Sequence, residues 1–299
     1  MQQLIWAVPL GGDGDGTMKV FISVDMEGVA GISDSVHTNP HGYDYQPARR
    51  LMTGEANAAV QGALIVGATE IWVSDSHGGN GYRSILGTEL DEEAQLITGG
   101  PRPFGQLEGI DRFFDALLLV GYHARHGVFG VLNHTTNGLA IEAVHVNGIE
   151  VGEIGLNAGL AGHYGVPTVL VTGDDMAVAE GQALIPGIHG AVVKTALGRY
   201  ASRGLHPSRA RELIRLRTQE ALKNRTQITP YSFAGPVQLQ VRFKDTGPAE
   251  NASTIPGMEW VDDSTLATTC PDFATAYRTY RTMVSLYIPA WGSWIRSTN

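Results

Sequence analysis

Lys19-Val20-Phe21-Ile22-Ser23-Val24-Asp25-Met26-Glu27-Gly28 is an apolar run that stops on two carboxylates and a glycine. Three later segments repeat the pattern. Ile71, Trp72 and Val73 lead into Asp75-Ser76-His77-Gly78-Gly79, and Leu117 to Val120 lead into Tyr122-His123-Ala124-Arg125. Residues 166–172 lead into Gly173-Asp174-Asp175. Continuous apolar runs of this length fit parallel strands covered on both faces. Between the first two lies an Ala- and Leu-rich helical stretch, residues 52–66, with Gly67 as its stop. Strand, helix and strand in that order predict an α/β fold, a three-layer parallel or mixed sheet flanked by helices. In such sheets ligands collect at the carboxyl ends of the strands. Here three strands end in Asp/Glu, His and His.

Residues 141–153 read differently, as a β-hairpin turning on Asn147-Gly148, which tolerates positive φ. The hairpin would place Glu153 where a strand gives way to a small-residue helix, residues 154–164. After residue 203 the composition changes. Residues 207–224 predict a charged amphipathic helix with Pro207 in its first turn. Val237, Leu239, Val241 and Phe243 alternate with polar residues as in a strand with one wet face. Residues 260–261 and 266–268 are expected to pair with that strand, and a helix over 271–286 follows. The expected division is an α/β domain over 18–203 and a smaller C-terminal α+β lobe over 204–299. Residues 1–17, with their Gly/Asp tract from Gly11 to Gly16, read as a disordered extension and not as a signal peptide.

The 299 residues carry a net charge of −9, with 43% hydrophobic residues. That balance argues against nucleic acid or an anionic membrane as partner, since both reward basic patches. The longest apolar runs are too short to cross a bilayer. Cys270 is the single cysteine, so no internal disulfide and no Cys-based zinc cluster can form. A reducing, cytoplasmic location is expected. Cys270 itself reads as a small packed residue.

Asp25 and Glu27, one residue apart, would share a face if strand geometry persists. Two carboxylates on one face repel unless a cation or proton sits between them. Neutral imidazoles at His77 and His123 would complete the ligand set expected for zinc, and plausible for manganese, cobalt or iron(II). With Glu153 the set exceeds what one tetrahedral zinc needs, and suits a pair of ions about 3.5–4 Å apart. His134, in Leu132-Asn133-His134-Thr135-Thr136, reads equally as a ligand, a general acid/base or a loop histidine. Asp75 reads as a partner that orients an imidazole or as a strand-end cap. Asp174 and Asp175 read as a helix N-cap pair or as a site for the substrate ammonium. His126, His145, His163, His189 and His206 read as surface or structural.

Ser23-Val24-Asp25-Met26-Glu27-Gly28 resembles the S-x-D-x-E-G signature of the zinc-dependent D-aminopeptidase family. Ser74 to His77, Gly121 to Arg125, Val151 to Ala158 and Val171 to Asp175 match the family in the same order. The resemblance implies two zinc ions per subunit on Asp25, Glu27, His77, His123 and Glu153, with Asp25 as the bridge. It implies that His134 is the catalytic histidine, although Asn133 stands where the family has serine. It further implies ring-shaped decamers acting on short peptides, with a D-residue at the N-terminus. Two other functions share parts of these features. A two-metal phosphoesterase would share the ligands but usually adds Arg or Lys, and only Arg125 lies near the motifs. A non-catalytic peptide-binding or transport component would not need so crowded a ligand set.

Overall fold

The computed structural model describes residues 17–287, so all of the expected N-terminal extension except Thr17 lies outside the described residues. In chain order the elements are β1 (Lys19–Val24), α1 (Ser35–Thr38), α2 (Tyr45–Ile65), β2 (Glu70–Asp75), β3 (Ala94–Ile97) and β4 (Ala116–Tyr122). Next come β5 (Ile141–Val146), β6 (Ile149–Glu150), α3 (Glu153–His163), β7 (Thr168–Asp174), α4 (Asp175–Leu184), β8 (His189–Gly198) and β9 (Ala201–Gly204). The remainder comprises α5 (Pro207–Lys223), β10 (Val237–Phe243), α6 (Thr246–Ser253), β11 (Glu259–Asp262), β12 (Thr265–Cys270) and α7 (Phe273–Ser285).

The larger sheet has the order β3-β2-β1-β4-β7-β8-β9, parallel throughout except for the antiparallel edge strand β9. The four strands expected from apolar runs, β2, β1, β4 and β7, lie side by side in its middle. Val20, Phe21, Ile22 and Val24 of β1 are wholly buried, as burial on both faces requires. Strands β3, β8 and β9 were not expected. α2 begins at Tyr45 rather than at residue 52, because Pro47 falls within its first turn, where a missing N–H leaves no helical bond unmade.

The second sheet is antiparallel, in the order β11-β12-β10-β5-β6. Its β5–β6 hairpin turns on Asn147 and Gly148, with φ of 50° and 79°, the pairing a two-residue turn demands. Val237, Leu239, Val241 and Phe243 are the buried face of β10. β12 pairs with β10 as expected, but β11 pairs with β12 instead of with β10, because β5 occupies the other edge of β10. Two elements cross the compositional break at residue 203. The hairpin from the first part of the chain joins the second sheet, and α5 packs along α2 and β8. Among the described residues, no helix is long and apolar enough to cross a membrane.

Candidate metal centre

The turn after β1 is stitched to the end of β4. Asp25 N–H donates to the Val120 carbonyl at 2.8 Å, and Gly28 N–H to the Gly121 carbonyl at 2.7 Å. A Cβ at Gly28 would overlap the Tyr122 carbonyl, so the approach requires glycine. Three further elements bring their ends to the same place. His77 follows β2, His123 follows β4, and Glu153 is the first residue of α3. His134 comes from the loop after β4.

All six residues expected at the site meet there, arranged as two triads. Asp25, Glu27 and His77 form one, and His123, His134 and Glu153 the other, with one donor atom of each residue within 4.8 Å of the others in its triad. Asp25 joins the two. Its Oδ1 lies 3.6 Å from His77 Nδ1, and its Oδ2 lies 3.6 Å from His123 Nε2. His77 Nδ1 is 3.1 Å from Glu27 Oε2, and His123 Nε2 is 3.2 Å from Glu153 Oε1. His134 Nε2 stands farther off, 3.8 Å from Glu153 Oε1, with its ring stacked on that of His123.

Each imidazole is oriented by a backbone carbonyl. His77 Nε2 faces the Thr38 carbonyl at 2.8 Å, His123 Nδ1 that of Ala124 at 2.9 Å, and His134 Nδ1 that of Leu132 at 2.9 Å. An N–H donated at each of these contacts leaves the other ring nitrogen with its lone pair turned toward the carboxylates. His123 Nε2 is buried with no hydrogen-bond partner. Lone pairs and carboxylates facing one another call for a cation. The electrostatics of the cluster point the same way. Burial would lower His77 and His123, yet the surrounding carboxylates raise both well above the usual imidazole range. Burial would raise Glu27 and Glu153, yet the facing histidines hold Glu27 well below its usual range and Glu153 at about 2. Burial and the neighbouring Glu27 charge push Asp25 up. The mixed nitrogen and oxygen donors suit zinc and similar divalent ions.

The surrounding hydrogen bonds hold these groups in place. Glu153 accepts from Gln106 Nε2 at 2.6 Å and from Thr136 N–H at 2.7 Å. Beneath the turn after β1, Lys194 of β8 is wholly buried and donates to the carbonyls of Glu27, Val29 and Ile32 at 2.5, 3.0 and 2.6 Å. Glu55 of α2 accepts from Ala30 N–H at 2.8 Å. Sequence reasoning missed Gln106, Lys194 and Glu55. The one signal available was a lysine interrupting Ala191-Val192-Val193-Lys194.

Three sequence expectations resolve toward structural roles. Asp75 orients no imidazole; its Oδ2 accepts from Ile85 N–H at 2.6 Å and so fixes the loop after β2. Asp174 caps α4 by accepting from Ala177 N–H and also accepts from Val131 N–H, while Asp175 accepts from Ala196 N–H. Neither is placed to bind a substrate ammonium. Asn133 bonds the Val128 carbonyl and accepts from Arg199, fixing the loop that carries His134. His126, His145, His163, His189 and His206 belong to neither triad.

The triads open into a cleft of about 850 Å³, bounded by Thr38 to His41 on one side and Asn137 to Leu139 on another, with Arg199, Tyr200, Arg281 and Val284. A space of this size suits a small organic ligand.

A family model described as D-aminopeptidase (Peptidase M55) matches residues 18–282. A D-aminopeptidase of Bacillus subtilis strain 168 is 36% identical over 270 residues, which is 90% of this chain and 97% of the relative. Among solved structures, the Zn-dependent D-aminopeptidase DppA from Bacillus subtilis, a self-compartmentalizing protease, matches with a TM-score of 0.87. That match is at 36% identity and covers 90% of this chain and 97% of the other.

Proposed function

The chain belongs to the D-aminopeptidase family of peptide-bond hydrolases, and we propose that it works with two zinc ions held by Asp25, Glu27, His77, His123 and Glu153. The observation that carries this reading is the position of Asp25. Its two oxygens face different histidines, an arrangement that would suit a carboxylate shared between two ions. The zinc dependence of the Bacillus subtilis relative supports the metal's identity. Zinc bound here would lower the pKa of a water and polarise the scissile carbonyl.

The chain's own groups divide the remaining work. Glu153 has both oxygens engaged, by Thr136 and Gln106, so it serves as a fixed ligand and not as a mobile base. His134 is the least buried of the three histidines, and Leu132 holds its ring so that Nε2 faces the cleft. We assign to that nitrogen a shuttle role: its lone pair would take the proton released by the attacking water and then deliver it to the leaving amine.

The substrate class is short peptides, with a D-residue at the N-terminus, in keeping with the relatives' activity. Assembly into a ring-shaped decamer in the cytoplasm completes the proposal. The relative's self-compartmentalizing character supports an assembly, as do Leu139 and Tyr200, which line the cleft yet are 74% and 58% exposed. Cys270, buried as a free thiol, supports the compartment. Family membership favours neither a phosphoesterase nor a transport component. Chelated and zinc-restored protein, assayed on matched D- and L-dipeptides and on a phosphodiester, tests the whole. Zinc-dependent turnover of the D-dipeptide is expected, and peptide cleavage that survives complete metal removal would overturn it.

A further inference from the structure

We infer that Arg281 of α7 binds the free α-carboxylate of the substrate, so that a C-terminal acid is part of what the enzyme recognises. The inference rests on the peptidase reading above and adds to it the end of the substrate away from the scissile bond.

Arg281 lines the same cleft as Asp25, His77 and Glu153. Its Nη2 donates to the Tyr82 hydroxyl at 2.8 Å, and its Nε is buried with no hydrogen-bond partner. The groups that raise its pKa against the effect of burial are phenols, those of Tyr82, Tyr277 and Tyr280. Among the described residues, no carboxylate forms an ion pair with it. Gly105 makes room for this arrangement, because a Cβ there would come within 3.0 Å of Nε.

A guanidinium does not shed its proton, so burial leaves it charged and in need of an anion. The carboxylates of the cleft, Asp25, Glu27 and Glu153, are committed to the metal triads. The other arginines nearby are occupied differently. Arg102 donates to Ser74 Oγ and to the Asp75 and Gly99 carbonyls and, though its Nη2 is unpartnered, does not line the cleft, while Arg199 donates to Asn133 and to the Tyr200 hydroxyl. Arg281 is therefore a partly buried cation of this cleft that no carboxylate neutralises among the described residues. Its planar fork matches a carboxylate, and a short peptide brings one into the cleft at its C-terminus. An internal segment of a long polypeptide brings none. Selection for short substrates then has a chemical component at the level of the single subunit.

The test is steady-state kinetics of the zinc-loaded enzyme on a dipeptide and on its C-terminal amide, with wild type, Arg281→Met and Arg281→Lys. Wild type should favour the acid by roughly 10- to 100-fold in kcat/KM, mostly through KM, the range expected for a charge-assisted hydrogen bond. Arg281→Met should abolish the preference by lowering kcat/KM for the acid far more than for the amide, and Arg281→Lys should restore part of it. Equal turnover of acid and amide by wild type, or equal loss on both in Arg281→Met, would overturn the inference. Should Arg281→Met fold poorly in a melting experiment, the acid–amide comparison in wild type decides alone. Amide turnover that disappears on chelation upholds the peptidase reading whichever way the acid preference falls.

Discussion

The buried ammonium of Lys194 donates to the main-chain carbonyl of Glu27, tying strand β8 to the turn that carries two of the site carboxylates. The same nitrogen reaches Val29 and Ile32, so one side chain pairs the Glu27 and Ile32 carbonyls and adds a second bond to that of Val29, which also accepts from Ile32 N–H.

Lys194→Met should therefore lower stability by about 3 kcal/mol, since it strands the Glu27 and Ile32 carbonyls. It should also weaken zinc binding roughly 10- to 100-fold, the scale seen when groups behind metal ligands are removed. Urea unfolding of the metal-free protein and competition with a chromophoric chelator measure the two effects. Unchanged zinc affinity would show that the Asp25–Gly28 turn holds its shape without the lysine.

The position of Asp25 between the triads predicts how metal content responds to each ligand. Glu27→Gln and Glu153→Gln should each lose one zinc ion and retain the other. Asp25→Asn should weaken both. Metal analysis after dialysis against a weak chelator distinguishes these patterns, and retention of both ions by Asp25→Asn would rule out its bridging role.

His134 is the residue whose part is most sharply tested by one substitution. It stacks on His123 with ring centroids 4.1 Å apart, close to the metal ligands but farther than they are from the shared oxygens. His134→Ala should lower kcat by about 10²- to 10⁴-fold, as loss of a general acid does, with zinc content unaltered. Loss of one zinc would instead make His134 a ligand.

Glu55 gives the apo protein a definite pH signature. Burial, only partly offset by the Ala30 N–H and the Lys194 and Arg211 charges, raises it from 4.5 to about 7. The folded state then binds more protons than the unfolded state between those two values. Its contribution to stability is full below about pH 4.5 and declines by up to about 3 kcal/mol as pH rises to about 7. Glu55→Gln should remove that slope while keeping the bond to Ala30 N–H. A stability profile parallel to wild type across pH 4.5 to 7 would contradict this assignment.

The sequence was legible where one residue's environment is set by its own strand. The apolar runs ahead of Asp25, His77, His123 and Asp174 announced β1, β2, β4 and β7, and Asn147-Gly148 announced the hairpin that delivers Glu153. The residues of the two triads followed, because chemistry placed just after a parallel strand must emerge at one edge. Residues that act across the fold were not legible. Lys194 lies 167 positions from Glu27, and the apolar run it interrupts marks it as unusual without saying what it touches. Gln106 reaches Glu153 from a short helical turn with no periodic pattern, and nothing adjacent marks it. Asp75 is the converse case. Its neighbour in sequence, His77, suggested an imidazole contact, whereas its carboxylate serves the Ile85 backbone.

Strand β10 sits between β12 and β5, and so completes the hairpin that leads into Glu153. The helix that follows β12, α7, ties down the same region, Tyr277 donating to Asn157 and Tyr280 to Thr136. During synthesis the ribosome releases Asp25, Glu27, His77 and His123 long before those elements emerge. The three residues of the first triad lie within the first 77 positions, whereas the second triad is braced by residues as far along as Tyr280. The second triad is therefore complete only once contacts spanning 120 and 144 positions have closed.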